Sequence, residues 1–264
     1  MSEQMVEYEC SEHIATITLN RPDKLNAVND DMVRQIAAAL RRFDTDDEAR
    51  IAILCGRGRA FSSGADVRQR QLRSREEFER YGGAQAPDAS SHDLLLRTVN
   101  WKPVMAAVHG YVLGLALGLM LECDLIVAEA GTQFQVTETP RGLSGAKYWA
   151  LLNFRGGGAF ATDVALTGRF FTAEEARAAN VIERVASQGE LMATARALAA
   201  DVAKNPPLGV RSTIRARRSY LERLSREVLM QVNLAKLHLT EDFRESARAF
   251  TEKRPPGPFK DADA

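Results

Sequence analysis

Only three cysteines occur in the 264 residues, Cys10, Cys55 and Cys123. They are scattered, odd in number and free of CxxC or other ligand spacing, so the sequence encodes no disulfide framework. Each lies in apolar, strand-like sequence and reads as a buried thiol in a reducing compartment. Charge of one sign is not in excess either, because 35 Lys and Arg balance 35 Asp and Glu. Zero net charge argues against a dominant nucleic-acid or membrane footprint. Six arginines between Arg211 and Arg226 are interleaved with Glu222 and Glu227, which suits a solvated or intersubunit helix better than an RNA surface. The N-terminus has no basic region leading into an apolar stretch, so no secretory signal is expected. One apolar tract, 103–121, is broken by His109-Gly110, Gly114 and Gly118 and ends at Glu122 and Asp124. A membrane span needs about 20 continuous apolar residues, so a buried strand followed by a buried helix is the better reading. Neither GxGxxG, GxxxxGK[ST] nor HExxH occurs, and no clustered His/Asp spacing points to a metal. A soluble, cytoplasmic protein without metal or separate cofactor is expected.

What is present is an alternation of strand and helix signals. Val6, Tyr8 and Cys10, then Ala15, Ile17 and Leu19, recur at period two, which predicts two antiparallel strands turning near residues 11–13. Arg21-Pro22-Asp23 breaks the second strand. Met32, Ile36, Leu40 and Phe43 fall at helical spacing behind Asn29 as N-cap, with Asp30 and Asp31 in the first turn. Residues 51–55, 104–108 and 125–128 are short continuous apolar runs, as in strands buried on both faces. Helical segments lie between them, so βαβ crossovers and a mainly parallel sheet follow. Residues 68–90, with Gly82-Gly83 and Pro87, read as an irregular surface segment. From Thr172 the chain reads as almost wholly helical. Its last helix runs from Glu241 to about Lys253, with acids first, bases last and Pro255-Pro256 as the stop.

Two glycine-containing segments carry the chemistry. Residues 59–66, Arg-Ala-Phe-Ser-Ser-Gly-Ala-Asp, follow the strand ending at Cys55. Residues 107–114, Ala-Val-His-Gly-Tyr-Val-Leu-Gly, lead into a helix beginning near Leu115. Both place small residues where backbone must approach something closely. Both can end in amides that point out of a turn or helix N-terminus, where donors lack partners and the dipole favours negative charge. Two such amides converging on one oxygen make an oxyanion hole. On spacing alone, ordinary tight turns fit equally well.

Ile17-Thr-Leu-Asn-Arg-Pro22 with Leu25-Asn-Ala27, Ala60-Phe-Ser-Ser-Gly-Ala-Asp66, Ala106-Ala-Val-His-Gly-Tyr111, Cys123-Asp124-Leu, Ala165-Leu-Thr-Gly-Arg169 and Phe250-Thr-Glu-Lys-Arg254 together resemble the crotonase superfamily, the enoyl-CoA hydratase/isomerase family. The resemblance spans essentially the whole chain. It implies an α/β spiral of ββα units over residues 1–200. Residues 201–264 would form a helical C-terminal region for trimerisation and active-site cover. Homotrimers, or hexamers made of two trimers, are implied, as is an acyl-CoA thioester substrate in which coenzyme A is part of the substrate rather than a cofactor.

Carried over residue by residue, the resemblance implies oxyanion amides at Ala65 and Leu115, the latter normally a glycine. Lys24, Leu25, Ser63, Asp66 and Val67 would line the coenzyme A groove. Lys253 would either meet its phosphates or adenine, or serve only as a helix C-terminal cation. The second of the two hydratase glutamates matches Glu138, a general acid/base. The first falls on Gly118, which cannot transfer a proton. Glu122, one helical turn on and about 6 Å along the axis, either reaches the pocket or pairs with a basic residue. His109 is expected in a structural hydrogen bond, and His92 would open a helix over 91–99. One carboxylate suffices to move a double bond, so an isomerase-type reaction fits Gly118 better than hydration. Hydration using Glu138 with Glu122 or water, and non-catalytic binding of an acyl-CoA or a partner, remain as alternatives. The stretch 139–149 should shape the acyl pocket.

Overall fold

The computed structural model describes residues 3–72, 74, 76–77, 80, 93–235 and 237–260. The expectations for Gly82-Gly83, Pro87 and His92 lie outside them. Strands β1 (Val6–Ser11) and β2 (Ile14–Leu19) pair antiparallel. Glu12 and His13 between them both have positive φ, the condition for a two-residue hairpin turn whose twist matches its strands. Helix α1 (Asp30–Thr45) starts where the Asn29 side chain accepts the Met32 amide, and it buries Met32, Ile36, Leu40 and Phe43 as one stripe.

Strands β3 (Ile51–Gly56), β4 (Val104–Val108), β6 (Leu125–Glu129) and β9 (Arg184–Ala186) follow in parallel, giving a six-stranded sheet β1-β2-β3-β4-β6-β9. The central strands are apolar on both faces because both are covered. Ala52, Leu54, Ala106 and Ile126 join the core that contains α1. Ile53, Met105 and Val127 pack instead with Leu191, Ala195 and Ala199.

A smaller sheet of β5 (Tyr111–Leu113), β7 (Gln133–Gln135) and β8 (Phe170–Thr172) runs in the order β5-β7-β8. Through its middle the chain adds one strand to each sheet before a helical passage. β4 and β5 precede α3 (Leu115–Glu122), and β6 and β7 precede α4 (Ala146–Arg155) and α5 (Gly158–Thr167). This is the spiral of ββα units.

Beyond Thr172 the described chain is almost wholly helical, as expected, with one strand as the exception. Helix α6 (Ala173–Ala178) leads into β9, a three-residue strand on the edge of the large sheet, too short to show a period in sequence. Then come α7 (Leu191–Ala203), α8 (Pro207–Ala235) and α9 (Glu241–Glu252). Helix α8 is tied to the core by Arg217 and Arg218, which both reach the buried carboxylate of Asp124. Among the described residues no helix is long and apolar enough to cross a membrane.

Candidate active site

Three neighbouring strand ends converge. Ser62 bridges Val112 in parallel register, and Leu113 of β5 pairs with Gln135 of β7, again in parallel. Ala65, Leu115 and Glu138 each lie three residues past those partners, so they leave from the same end. Ligands bind outside the carboxyl ends of parallel strands for this reason.

Two glycines make the approach close enough. A Cβ on Gly64 (φ +90°) would stand 2.5 Å from the Leu113 carbonyl oxygen and 3.6 Å from the Leu115 amide. A Cβ on Gly114 (φ +49°) would stand 2.3 Å from Thr137 Oγ1 and 3.2 Å from Glu138 Oε1. Both conformations are ones that L side chains rarely adopt. Among the described residues neither the Ala65 nor the Leu115 amide donates to a protein acceptor, and Leu115 opens α3, where such donors are intrinsically free.

Glu138 caps a short 3-10 turn (Thr139–Arg141). Its Oε1 accepts 2.6 Å from the Tyr148 hydroxyl, and its Oε2 accepts 3.4 Å from Thr137 Oγ1. Removal from water pushes the carboxyl above its ordinary range, against the lowering effect of these bonds and of Arg141. Burial and the Glu138 charge push the Tyr148 phenol well up, so it remains a donor. The turn is held by Thr139 Oγ1, which donates 2.6 Å to the Ala165 carbonyl.

Gly118 faces this centre through Tyr148. A Cβ there would lie 3.3 Å from Tyr148 Cε1 and 3.8 Å from its hydroxyl oxygen. A phenol from α4 thus fills the space into which a side chain at 118 would grow. Glu122 is engaged elsewhere, bonded 2.7 Å to Lys147 Nζ and 3.2 Å to the Leu95 amide. Burial, with repulsion from Asp93, raises its carboxyl against the attraction of Lys147. Burial pulls the Lys147 ammonium down, but Glu122 and Asp93 together outweigh it and leave it raised. Glu122 therefore takes the ion pair with a basic residue that sequence left open beside a pocket role.

Around Ala65 the backbone is laced to the segment after β2. The Ser63 amide donates to the Leu25 carbonyl, Val28 to Gly64 and Asp66 to Val28. Leu25 and Asn26 both have positive φ. Buried Asn26 accepts from the Arg21 amide and donates to the Arg57 and Ala60 carbonyls. Of the five groove residues, Lys24 is exposed and Leu25 and Ser63 are half-buried. Asp66 is already spent on Arg21 at 2.9 Å and on capping α2 (Val67–Arg70), while Val67 is buried. Lys253 is exposed at the left-handed end of α9. His109 makes its structural bond, 2.8 Å to the Gly58 carbonyl. Sequence reasoning marked 139–149 as pocket-forming without singling out Tyr148, Lys147 or Arg141. For Lys147 and Tyr148 the available signal was their polarity at the start of a helix that continues apolar; Arg141, in a polar turn, gave none.

No cluster of three or more His, Cys, Asp or Glu able to hold a metal occurs among the described residues. Comparison with known proteins bears on the family and the fold. The chain is 33% identical over 249 residues to a mevalonyl-coenzyme A hydratase of Aspergillus fumigatus, covering 92% of this chain and 90% of that one. It is 30% identical over 260 residues to the (E)-benzylidenesuccinyl-CoA hydratase of Thauera aromatica, covering 95% and 97%. A crystal structure of an enoyl-CoA hydratase/isomerase from Pseudoalteromonas atlantica superposes with a TM-score of 0.82 at 26% identity, covering 97% of this chain and 100% of that one. The sequence pattern of the enoyl-CoA hydratase/isomerase family matches residues 9–262, and the chain belongs to that family.

Proposed function

We propose that the chain forms and quenches an enolate-like anion of an acyl-CoA thioester by a one-base route. The thioester oxygen accepts from the Ala65 and Leu115 amides as negative charge develops on it. Preorganised donors of this kind act without reorganising at the moment of reaction. Glu138 takes a proton from one carbon of the acyl chain and returns it to another, as in a double-bond shift. Tyr148, donating to one carboxylate oxygen, fixes its orientation, and the other, which takes only the 3.4 Å bond from Thr137 Oγ1, serves the substrate. Lys24, Leu25 and Ser63 form the rim along which coenzyme A lies, and Asp66 and Val67 hold that rim in place. Lys253 is the cation available to the coenzyme A phosphates.

One observation carries this reading. Two amides without protein acceptors stand beside a single carboxylate, and an aromatic ring fills the place where a second carboxylate would enter. Hydration is the second reading. The relatives' names favour it, as does the Tyr148 hydroxyl, which lies beside Glu138 where it would help hold a water.

Solvent-deuterium exchange into acyl- and enoyl-CoA thioesters, read by mass spectrometry, tests both. Exchange should fall by about 10²- to 10⁴-fold in Glu138→Gln, and the position of the label separates isomerisation from hydration. Undiminished exchange in the variant removes Glu138 as the base. Bound thioesters without exchange in either protein indicate a non-catalytic binder.

A further inference from the structure

Arg141 stands one 3-10 turn beyond Glu138. Residues three apart eclipse in such a turn, so both side chains leave from one face. The half-buried guanidinium lies 4.5 Å over the Phe250 ring of α9. Several other partly buried arginines are matched, Arg21 by Asp66, Arg155 by Glu183, and Arg217 and Arg218 by Asp124, whereas Arg211 lies only against the Trp101 ring at 5.7 Å. Arg141 likewise has no ion pair or side-chain hydrogen bond to any described residue, and unlike Arg211 it stands beside the Glu138 carboxyl. It lies in the field of Glu138 and Tyr148 but bonds to neither. Burial lowers its pKa against the opposing pull of those two groups, yet a guanidinium stays charged. A partly desolvated cation whose five donors make no hydrogen bond to a described residue gains when an acceptor arrives.

We infer that Arg141 is the receptor for a second carboxylate on the acyl group, so that the substrate is the coenzyme A half-thioester of a dicarboxylic acid. The inference rests on the reading that the acyl chain lies against Glu138. A planar fork on an aromatic platform suits bidentate carboxylate recognition. It meets the ligand at the acyl end, because Arg141 shares the face of the proton-transfer group. The competing explanation is that Arg141 only docks α9 through Phe250.

Dissociation constants for two saturated thioesters that undergo no net conversion, glutaryl-CoA and valeryl-CoA, separate the two. Wild type should bind glutaryl-CoA about 10- to 100-fold tighter, the ratio expected of a charge-assisted pair. In Arg141→Met the ratio should collapse to near one. Phe250→Leu, which removes the platform and keeps the charge, should retain most of it. No preference in wild type overturns the inference, as does equal weakening of both thioesters in Arg141→Met. Loss of the ratio in Phe250→Leu to the same extent as in Arg141→Met assigns the effect to helix docking and also overturns it. The ratio is read from binding alone, so failure of Glu138 exchange and failure of Arg141 recognition are separate results.

Discussion

Glu138 holds its proton to higher pH in the folded protein than in the unfolded chain, because burial raises it above its ordinary value of 4.5. Below 4.5 both states are protonated and the group contributes nothing to pH dependence. As pH rises through the window between the two values, the unfolded chain releases the proton first, and stability falls. Glu138→Gln removes that term. Its melting midpoint should rise relative to wild type as pH goes from 4 to 8, with the two proteins converging at the acidic end. A difference independent of pH would mean that the native carboxyl is not raised. This is the expected signature of a group placed for chemistry at the expense of stability. Glu138 was legible in sequence because it sits in a matched frame after a strand. Tyr148 and Arg141 were not, since their approach to Glu138 depends on a 3-10 turn and on how α4 docks.

The relation between α3 and α4 decides which chemistry the site can host. Gly118 puts no side chain toward Glu138, and Tyr148 crosses from α4 to fill the gap. Gly118→Glu alone forces a side chain against that ring, and overpacking of this kind costs about 1–3 kcal/mol. It should lower stability without creating hydratase activity. Combined with Tyr148→Ala, the vacated space admits the new carboxylate opposite Glu138, and crotonyl-CoA hydration should appear or rise by about tenfold or more. Hydration of equal rate in the single variant would show that Tyr148 does not occupy the place of the second carboxylate. The legibility of the elements follows the same physics. β3, β4, β6 and α1 were readable because burial on two faces or along one stripe imposes a pattern over five residues or more. β5, β7, β8 and β9 are three residues each, and three residues carry no period. Their existence is set by pairing with distant strands, so the small sheet that aligns the three strand ends of the candidate site was invisible in sequence.

At the scale of the whole molecule, the chain leaves apolar surface beside that small sheet. Trp149 is 40% exposed, Leu166 71% and Phe170 48%. They are neighbours, since Trp149 Nε1 donates to Thr162 Oγ1, Thr162 and Leu166 are one helical turn apart on α5, and Phe170 begins β8 shortly after. Tyr111, 45% exposed, lies on the opposite edge strand, β5. A patch of this kind marks an interaction surface more often than idle exposure. The homotrimers that the family resemblance implies make further copies of this chain the expected occupant. Sedimentation equilibrium should therefore give about 87 kDa, three copies of the 29.1 kDa chain, or twice that for paired trimers. Trp149→Glu with Leu166→Glu should shift the chain toward monomer, because unpaired charge would be buried at the contact. A wild-type monomer at about 10 μM, a concentration ample for interfaces of standard size, removes the proposal. The dissociated variant also separates two designs of the active site. Ala65, Leu115, Glu138, Tyr148 and Arg141 all come from one chain, so thioester binding that survives dissociation shows each protomer to be sufficient. Binding lost with the trimer means that a neighbour completes the groove, and the exposed Lys253 at the end of α9 is the residue of that neighbour to substitute first.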